Sequence, residues 1–172
     1  MKGSDNLTIT FDGVDDRVDV GNPAELQITG PLTVGAWVGV DSISGNGRIV
    51  TQGGESGRRG WSLNVENTDM WTFQVAVSAT ANVSLNVPSV PLGVWVHVAG
   101  LYDPTIPIMR LYTNGVLGAE RTDGVPSAQY NSPIHVNIGA RGNNQTYCCC
   151  CSRPATRRAP LRRRSRRRLF FS

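Results

Sequence analysis

Residues 94–122 read VWVHVAGLYDPTIPIMRLYTNGVLGAERT, and this stretch decides the fold class of the chain. Three runs within it are rich in Val, Leu, Ile and Tyr and show the period-two alternation of β-strands. Asn114-Gly115 separates the last two runs, and Asn-Gly favours a type I′ hairpin turn because both residues accept a positive φ. We therefore predict consecutive antiparallel strands here.

Runs of the same kind recur through residues 1–147. They are short and bounded by Gly, Pro, Asn and Asp, and no stretch has a 3.6-residue period long enough for a crossover helix. This pattern predicts an all-β fold, a two-sheet antiparallel jelly-roll sandwich. The other strand-like runs are LTITF (7–11), LTVGAWVGV (32–40), RIVTQG (48–53), GWSLNVE (60–66), WTFQVAV (71–77), VSLNV (83–87) and IHVNIGA (134–140).

The alternation also predicts which side chains share a face of their strand. The small and aliphatic side chains at even positions from 34 to 40 share one face of their strand, opposite Trp37. Trp37 and Trp95 are nevertheless both predicted to be core residues, because large aromatic side chains contribute much buried area. His97 is predicted to be packed with its ring nitrogens hydrogen-bonded, and His135 to lie on the face of its strand opposite its apolar neighbours.

An ordered series of motifs resembles a laminin-G-like domain of the concanavalin A-like lectin/glucanase superfamily. The series runs from Phe-Asp-Gly-x-Asp-Asp at residue 11, through Trp95-x-His-Val-Ala and Leu-Tyr-x-Asn-Gly at residue 111, to Ile138-Gly139. The resemblance spans nearly all of residues 7–142. It implies a jelly-roll module of an extracellular or cell-surface protein that binds glycans or other proteins, and some such domains bind calcium.

The resemblance also implies a final strand after the Ile-Gly-x-Arg-Gly segment, but Cys148–Cys151 and an arginine run follow Tyr147 instead. Residues 1–147 hold eight Lys and Arg against thirteen Asp and Glu, a net charge of −5, whereas residues 148–172 hold nine Arg and no acid. We divide the chain into a laminin-G-like domain, 1–147, which is predicted to lack its last strand, and a Cys/Arg-rich tail, 148–172. The tail is predicted to be disordered, and a shifted reading frame is the favoured explanation of its composition.

Two functional interpretations of the tail compete with that explanation. An arginine cluster binds polyanions through counterion release, and RRRSRRR resembles a nuclear-localisation patch. The four consecutive cysteines do not suit zinc, because structural sites separate their ligands so that the thiolates converge. We predict no specific nucleic-acid partner.

Several other functions are disfavoured by the sequence. The Glu-x-Asp-x-x-Glu motif of the superfamily's glucanases is absent, and no nucleophile is placed near either histidine, so we predict that the chain is not an enzyme. No stretch approaches the roughly 20 apolar residues of a membrane span. The start of the chain has no secretory signal pattern, so the expected extracellular or cell-surface location applies to a larger parent protein.

Two sets of residues are candidate sites. Asp12, Asp15 and Asp16 lie in an acidic turn that suits calcium, which prefers six to eight oxygen ligands; a solvated turn is the alternative. Trp61 and Trp71 begin strands beside loops, where an indole can stack on a sugar, and Arg58 or Arg59 can meet an acidic glycan. The alternative for both tryptophans is that they cap the core.

Taken together, these patterns predict a noncatalytic binding or adhesion module whose partner is a glycan or an extracellular protein, with carbohydrate preferred. Two alternatives stay open. One is an ancillary or structural spacer domain of a secreted multidomain enzyme, and the other is a polyanion binder that acts through the arginine tail.

Overall fold

The regular secondary structure is almost entirely β-strand in the structure, a computed structural model that describes residues 8–12, 16–43, 45–53, 59–141 and 169–170. A short 3-10 turn, Ala24–Leu26, follows the first strand. Within the described ranges, no helix is long and apolar enough to span a bilayer. The strands are β1 (Val18–Gly21), β2 (Leu32–Gly39), β3 (Gly47–Gln52), β4 (Ser62–Glu66), β5 (Met70–Ala76), β6 (Asn82–Pro88), β7 (Trp95–Asp103), β8 (Ile108–Thr113), β9 (Val116–Arg121), β10 (Val136–Ile138) and β11 (Leu169–Phe170).

These strands form two antiparallel sheets. The larger sheet has the order β1-β10-β3-β4-β5-β6 and the smaller sheet the order β11-β2-β7-β8-β9. β10 therefore lies between β1 and β3, although it follows them by more than 80 residues. The prediction of an all-β two-sheet sandwich is confirmed, as is the hairpin turn, where Asn114 and Gly115 have φ of 49° and 78°.

The core lies between the two sheets and is built from the alternate positions of facing strands. Phe73 of β5 is fully buried and lies against Gly100 of β7, where an added Cβ would come within 2.4 Å of the phenyl ring. The sheets can approach this closely because residue 100 has no side chain. Tyr102, also fully buried, donates a hydrogen bond from its hydroxyl to the carbonyl of Pro126 at 2.8 Å, so the core also anchors the connection that leads to β10.

The predicted faces of β2 are confirmed, but the placement of two tryptophans in the core is wrong. Val38 and Val40 are buried, whereas Trp37 is 42% exposed. Trp95 is half-buried, because the inward positions of β7 begin with Val96. Trp37 and His97 pair across the outer face of the smaller sheet, with ring centroids 5.4 Å apart. Both faces of β2 carry apolar residues, so alternation alone could not show which face is buried.

Only two residues of the Cys/Arg-rich tail are described. Leu169 and Phe170 form β11, which pairs with Val38 and Trp37 at the edge of the smaller sheet. Residues 142–168 and 171–172 lie outside the described ranges. The predictions of disorder, of a shifted reading frame and of a missing last strand concern those residues and stay predictions.

Candidate functional site

The larger sheet has an apolar face toward the core and a polar face away from it. On β4, Leu63 and Val65 belong to the core, so the alternate residues Ser62 and Asn64 lie on the other face. The antiparallel register places these residues beside polar residues of the neighbouring strands. The result is two rows across β3 to β6, which we call the polar face: Thr51, Ser62, Gln74 and Ser84 in one row, and Arg48, Asn64, Thr72 and Asn86 in the next.

Hydrogen bonds within the polar face hold its side chains in place. Asn64 Nδ2 donates to Ser62 Oγ at 2.9 Å, and Ser62 Oγ donates to Gln74 Oε1 at 3.3 Å. In the next row, Thr72 Oγ1 donates to Asn86 Oδ1 at 2.9 Å. Asn64 and Thr72 are almost fully buried, although they face away from the core. Side chains fixed in this way are organised before a ligand arrives, which lowers the entropic cost of binding.

A cavity of about 320 Å³ opens at one end of the polar face. This volume is at the lower end of the range of ligand-binding pockets. The lining is dominated by polar side chains and includes no carboxylate among the described residues. It consists of three arginines (Arg48, Arg59, Arg141), five amide or hydroxyl residues (Thr51, Gln52, Ser62, Gln74, Asn82), two glycines (Gly53, Gly60) and Trp61.

The connection between β3 and β4 shapes one wall of this cavity. The N–H of Gln52 donates to the carbonyl of Trp61 at 2.9 Å. A Cβ on Gly60 would lie 2.0 Å from the carbonyl oxygen of Gln52, so only glycine fits there. Gln52 is itself anchored, since its Nε2 lies 3.3 Å from the Leu26 carbonyl and 3.4 Å from that of Ser132. The wall is therefore fixed by a backbone hydrogen bond at Trp61 and by the side-chain contacts of Gln52.

The arginines reach the cavity from three separate parts of the chain. Arg48 lies on β3, Arg59 lies in the β3–β4 connection and Arg141 follows β10. Arg48 is nearly buried, and its guanidinium lies 3.9 Å from the carboxylate of Glu66, outside the lining. A confined site lined by cations attracts anions, because low-dielectric walls concentrate the field. The cavity is thus suited to a polar ligand, and its charge favours a negative one.

Only some of the predicted ligand-binding residues lie together in the structure. Trp61 and Arg59 line the cavity together, although Trp61 is only 4% exposed and also belongs to the hydrophobic core, as its alternative predicted. Trp71 does not join them: its side chain is 1% exposed and packs in the core, so its indole face is not available to a sugar. This corrects the expectation for Trp71, and the alternative, a core tryptophan, is the one observed. Arg58 lies outside the described residues.

The acidic turn is described only in part. The N–H of Asp12 donates to Asp16 Oδ2 at 2.8 Å, which accounts for one carboxylate oxygen of the turn. Asp15 lies outside the described residues. Within the ranges that the structure describes, no three His, Cys, Asp or Glu side chains come together as a metal-binding group. Calcium at Asp12, Asp15 and Asp16 stays a prediction.

Asp19 belongs to this acidic segment but has a different environment. It lies on β1, where its carboxylate accepts the N–H of Gly21 at 2.9 Å and contacts His135 Nδ1, also at 2.9 Å. The Gly21 hydrogen bond, and after it the contact with His135, lower the pKa of Asp19 below its ordinary value. His135 projects away from the core beside the buried Val136, as predicted. Asp19 therefore ties β1 to the start of β10.

Comparison with known proteins identifies the family of the chain and supports its fold. A laminin-G family model, described as the concanavalin A-like lectin/glucanases superfamily, matches residues 12–148. No curated protein matches the chain. Among solved structures, the CBM40 of the Ruminococcus gnavus IT-sialidase, bound to α2,3-sialyllactose, superposes with a TM-score of 0.66 at 16% identity, over 83% of this chain and 82% of that one.

Two further structures show the same architecture at low identity. The heptameric SAP-like pentraxin of Limulus polyphemus superposes with a TM-score of 0.51 at 17% identity, over 77% of this chain and 70% of that one. Botulinum neurotoxin type C, whose cell entry depends upon interaction with two ganglioside molecules, superposes with a TM-score of 0.52 at 14% identity, over 71% of this chain and 30% of that one.

Proposed function

The chain belongs to the concanavalin A-like lectin/glucanases superfamily, and from that premise we propose that it is a noncatalytic carbohydrate-binding module of an extracellular or cell-surface protein. The saccharide binds in the cavity at the end of the polar face. Gln74, Ser62 and Asn82 hydrogen-bond its hydroxyl groups there, and Trp61 forms part of the wall.

The observation that carries this proposal is the composition and order of the polar face. Saccharides present many hydroxyl groups, each of which donates one hydrogen bond and accepts others. Amide side chains both donate and accept, as do Ser and Thr hydroxyls, and in this protein they are held in rows by mutual hydrogen bonds. Ser62 and Gln74 belong to this set and line the cavity.

Two of the structural relatives are described with glycans, sialyllactose in one and gangliosides in the other. This agrees with a carbohydrate ligand here. A glycosidase mechanism requires two carboxylates facing the scissile bond, and the described lining of the cavity contains only arginines, amides, hydroxyls, glycines and one tryptophan. The proposal is therefore binding without hydrolysis.

The experiment is a glycan array with the full chain, followed by calorimetric titration of each saccharide that binds. Gln74→Met removes the amide and keeps the side-chain length, so we expect affinity to fall about three- to tenfold, the value of one or two neutral hydrogen bonds. Gln27→Met makes the same substitution at an exposed position outside the cavity and should leave affinity unchanged. A folded chain that binds no saccharide, or equal affinities for Gln74→Met and wild type, would overturn the proposal.

A further inference from the structure

We infer that the saccharide carries a carboxylate, and that Arg59 and Arg141 hold this group in the cavity beside Trp61. This inference rests on the proposed carbohydrate-binding function and narrows it to one class of ligand, the acidic sugars. Sialic acids and uronic acids both present such a carboxylate.

The first support is the charge of the cavity. Three arginines line a space of about 320 Å³, and no Asp or Glu is among the described lining residues. An anionic ligand makes charge-assisted contacts with guanidinium groups that line the cavity, and a neutral sugar cannot make them.

The second support is a set of buried hydrogen-bond donors. Trp61 is 4% exposed and lines the cavity, yet its indole Nε1 has no acceptor among the described residues. Arg59 Nε is likewise buried with no acceptor in the described part of the chain. A buried donor without an acceptor costs roughly 1–3 kcal/mol. An ionised carboxylate offers about four lone-pair sites and donates nothing, so it complements these donors better than a hydroxyl does.

The third support is the way Arg59 is held. Its guanidinium donates through Nη1 to Asn82 Oδ1, and Asn82 Nδ2 in turn donates to Ser84 Oγ at 3.1 Å. The N–H of Arg59 also donates to the carbonyl of Ala79 at 3.2 Å. A guanidinium fixed at one nitrogen still presents a planar set of donors, which suits a two-point contact with a carboxylate. Gln52, which lines the same cavity, has a buried Oε1 with no donor among the described residues. This oxygen can accept a hydrogen bond from a hydroxyl group of the sugar ring.

The test is calorimetric titration of the full chain with four probes: α2,3-sialyllactose, its methyl ester, a glucuronic acid disaccharide and lactose. We expect at least one acid to bind at least tenfold more tightly than both the ester and lactose, since charge-assisted hydrogen bonds are lost in those two. The probe that binds then distinguishes a sialic acid from a uronic acid. Tight binding should weaken severalfold between 50 mM and 500 mM NaCl.

Variants connect the preference for acids to the cavity. Arg59→Gln should reduce affinity for the preferred acid about tenfold or more while changing affinity for lactose less than twofold, and Arg59→Lys should recover only part of the loss because a point charge lacks the fork. Arg141→Gln is a second variant with the same expectation, in case Arg59→Gln unfolds. Arg110→Gln removes an arginine from the smaller sheet and should have no effect.

The arginine tail requires its own control, because it could bind an acid without the cavity. Replacing Arg162–Arg164 and Arg166–Arg168 by serine keeps the chain length and should preserve the preference for the acid. Loss of the preference in the tail variant, or equal losses of acid and lactose binding in Arg59→Gln, would overturn the inference and leave carbohydrate binding intact. If no probe or arrayed saccharide binds and the chain is folded, the proposed function fails as well.

Discussion

Replacing Gly60 by alanine should destabilise the protein and disable the cavity at once. The new Cβ would lie 2.0 Å from the carbonyl oxygen of Gln52, whereas real Cβ contacts essentially never fall under 3.0 Å. The two backbones must therefore separate by about 1 Å, and neither atom belongs to a side chain that can rotate away. Overpacking of this kind typically costs 1–3 kcal/mol of stability. Because the atom that must move belongs to the backbone, we expect a cost near the upper value, about 3 kcal/mol.

This cost has two consequences that can be measured. In a chain of this size each kcal/mol lowers Tm by roughly 2–4 °C, so Gly60→Ala should melt roughly 6–12 °C below wild type. The separation of the two backbones also moves the segment that carries Arg59 and Trp61. The affinity for the preferred saccharide should therefore fall even at temperatures where the variant is fully folded. Urea unfolding, followed by tryptophan fluorescence, measures the free energy, and calorimetry below the melting transition measures the binding.

The matched control is Gly45→Ala. An added Cβ at residue 45 meets no atom within 4 Å, so the same chemical change should alter the free energy of unfolding by less than about 1 kcal/mol. If Gly60→Ala and Gly45→Ala unfold at the same urea concentration, the close approach of the β3–β4 connection to β3 does not exist in solution, and the geometry of the cavity wall would have to be rejected.

Two further predictions concern groups away from the cavity. Tyr102→Phe removes the hydroxyl that donates to a backbone carbonyl at 2.8 Å, so we expect a loss of about 1 kcal/mol in urea unfolding with unchanged saccharide affinity; a change in affinity without a change in stability would contradict this assignment. The carboxylate of Asp19 has a lowered pKa, chiefly through the N–H of Gly21, so its contribution is present above the pKa of the unfolded chain and is lost as the pH falls through the folded value. Stability measured between pH 6 and pH 3 should therefore fall less steeply in Asp19→Asn than in wild type, and identical slopes would show that this hydrogen bond does not form.

The sequence was sufficient to predict the strands and their class, because that information lies in local alternation. Most strand-like runs between residues 32 and 140 coincide with observed strands, and the Asn114 turn adopts the predicted positive φ. β1 was not predicted as a strand, since its acidic residues suggested a turn. Its pairing depends on β10, which arrives more than 100 residues later.

The candidate site was only partly predictable. Arg59 and Trp61 were identified because they lie beside a loop, but Arg48 and Arg141 were missed, since their approach to the same cavity depends on strand order and not on spacing. The sequence does carry one signal of the polar face: Ser62 and Asn64 alternate with core residues, and β5 and β6 repeat the pattern. That alternation predicts a polar face, but it cannot distinguish a binding face from one that merely meets water.

The central position of β10 has a consequence for folding kinetics. β1 and β3 are separated in the sheet by a strand that lies near residue 137, so this side of the sheet cannot close until most of the domain has left the ribosome. Pairings that are distant in the chain slow folding, because the entropy of a long loop must be lost before any contact is gained. The cavity, whose lining includes Arg141 just after β10, should be one of the last parts to form. Binding of the proposed ligand during refolding should therefore report completion of the fold and not an early intermediate.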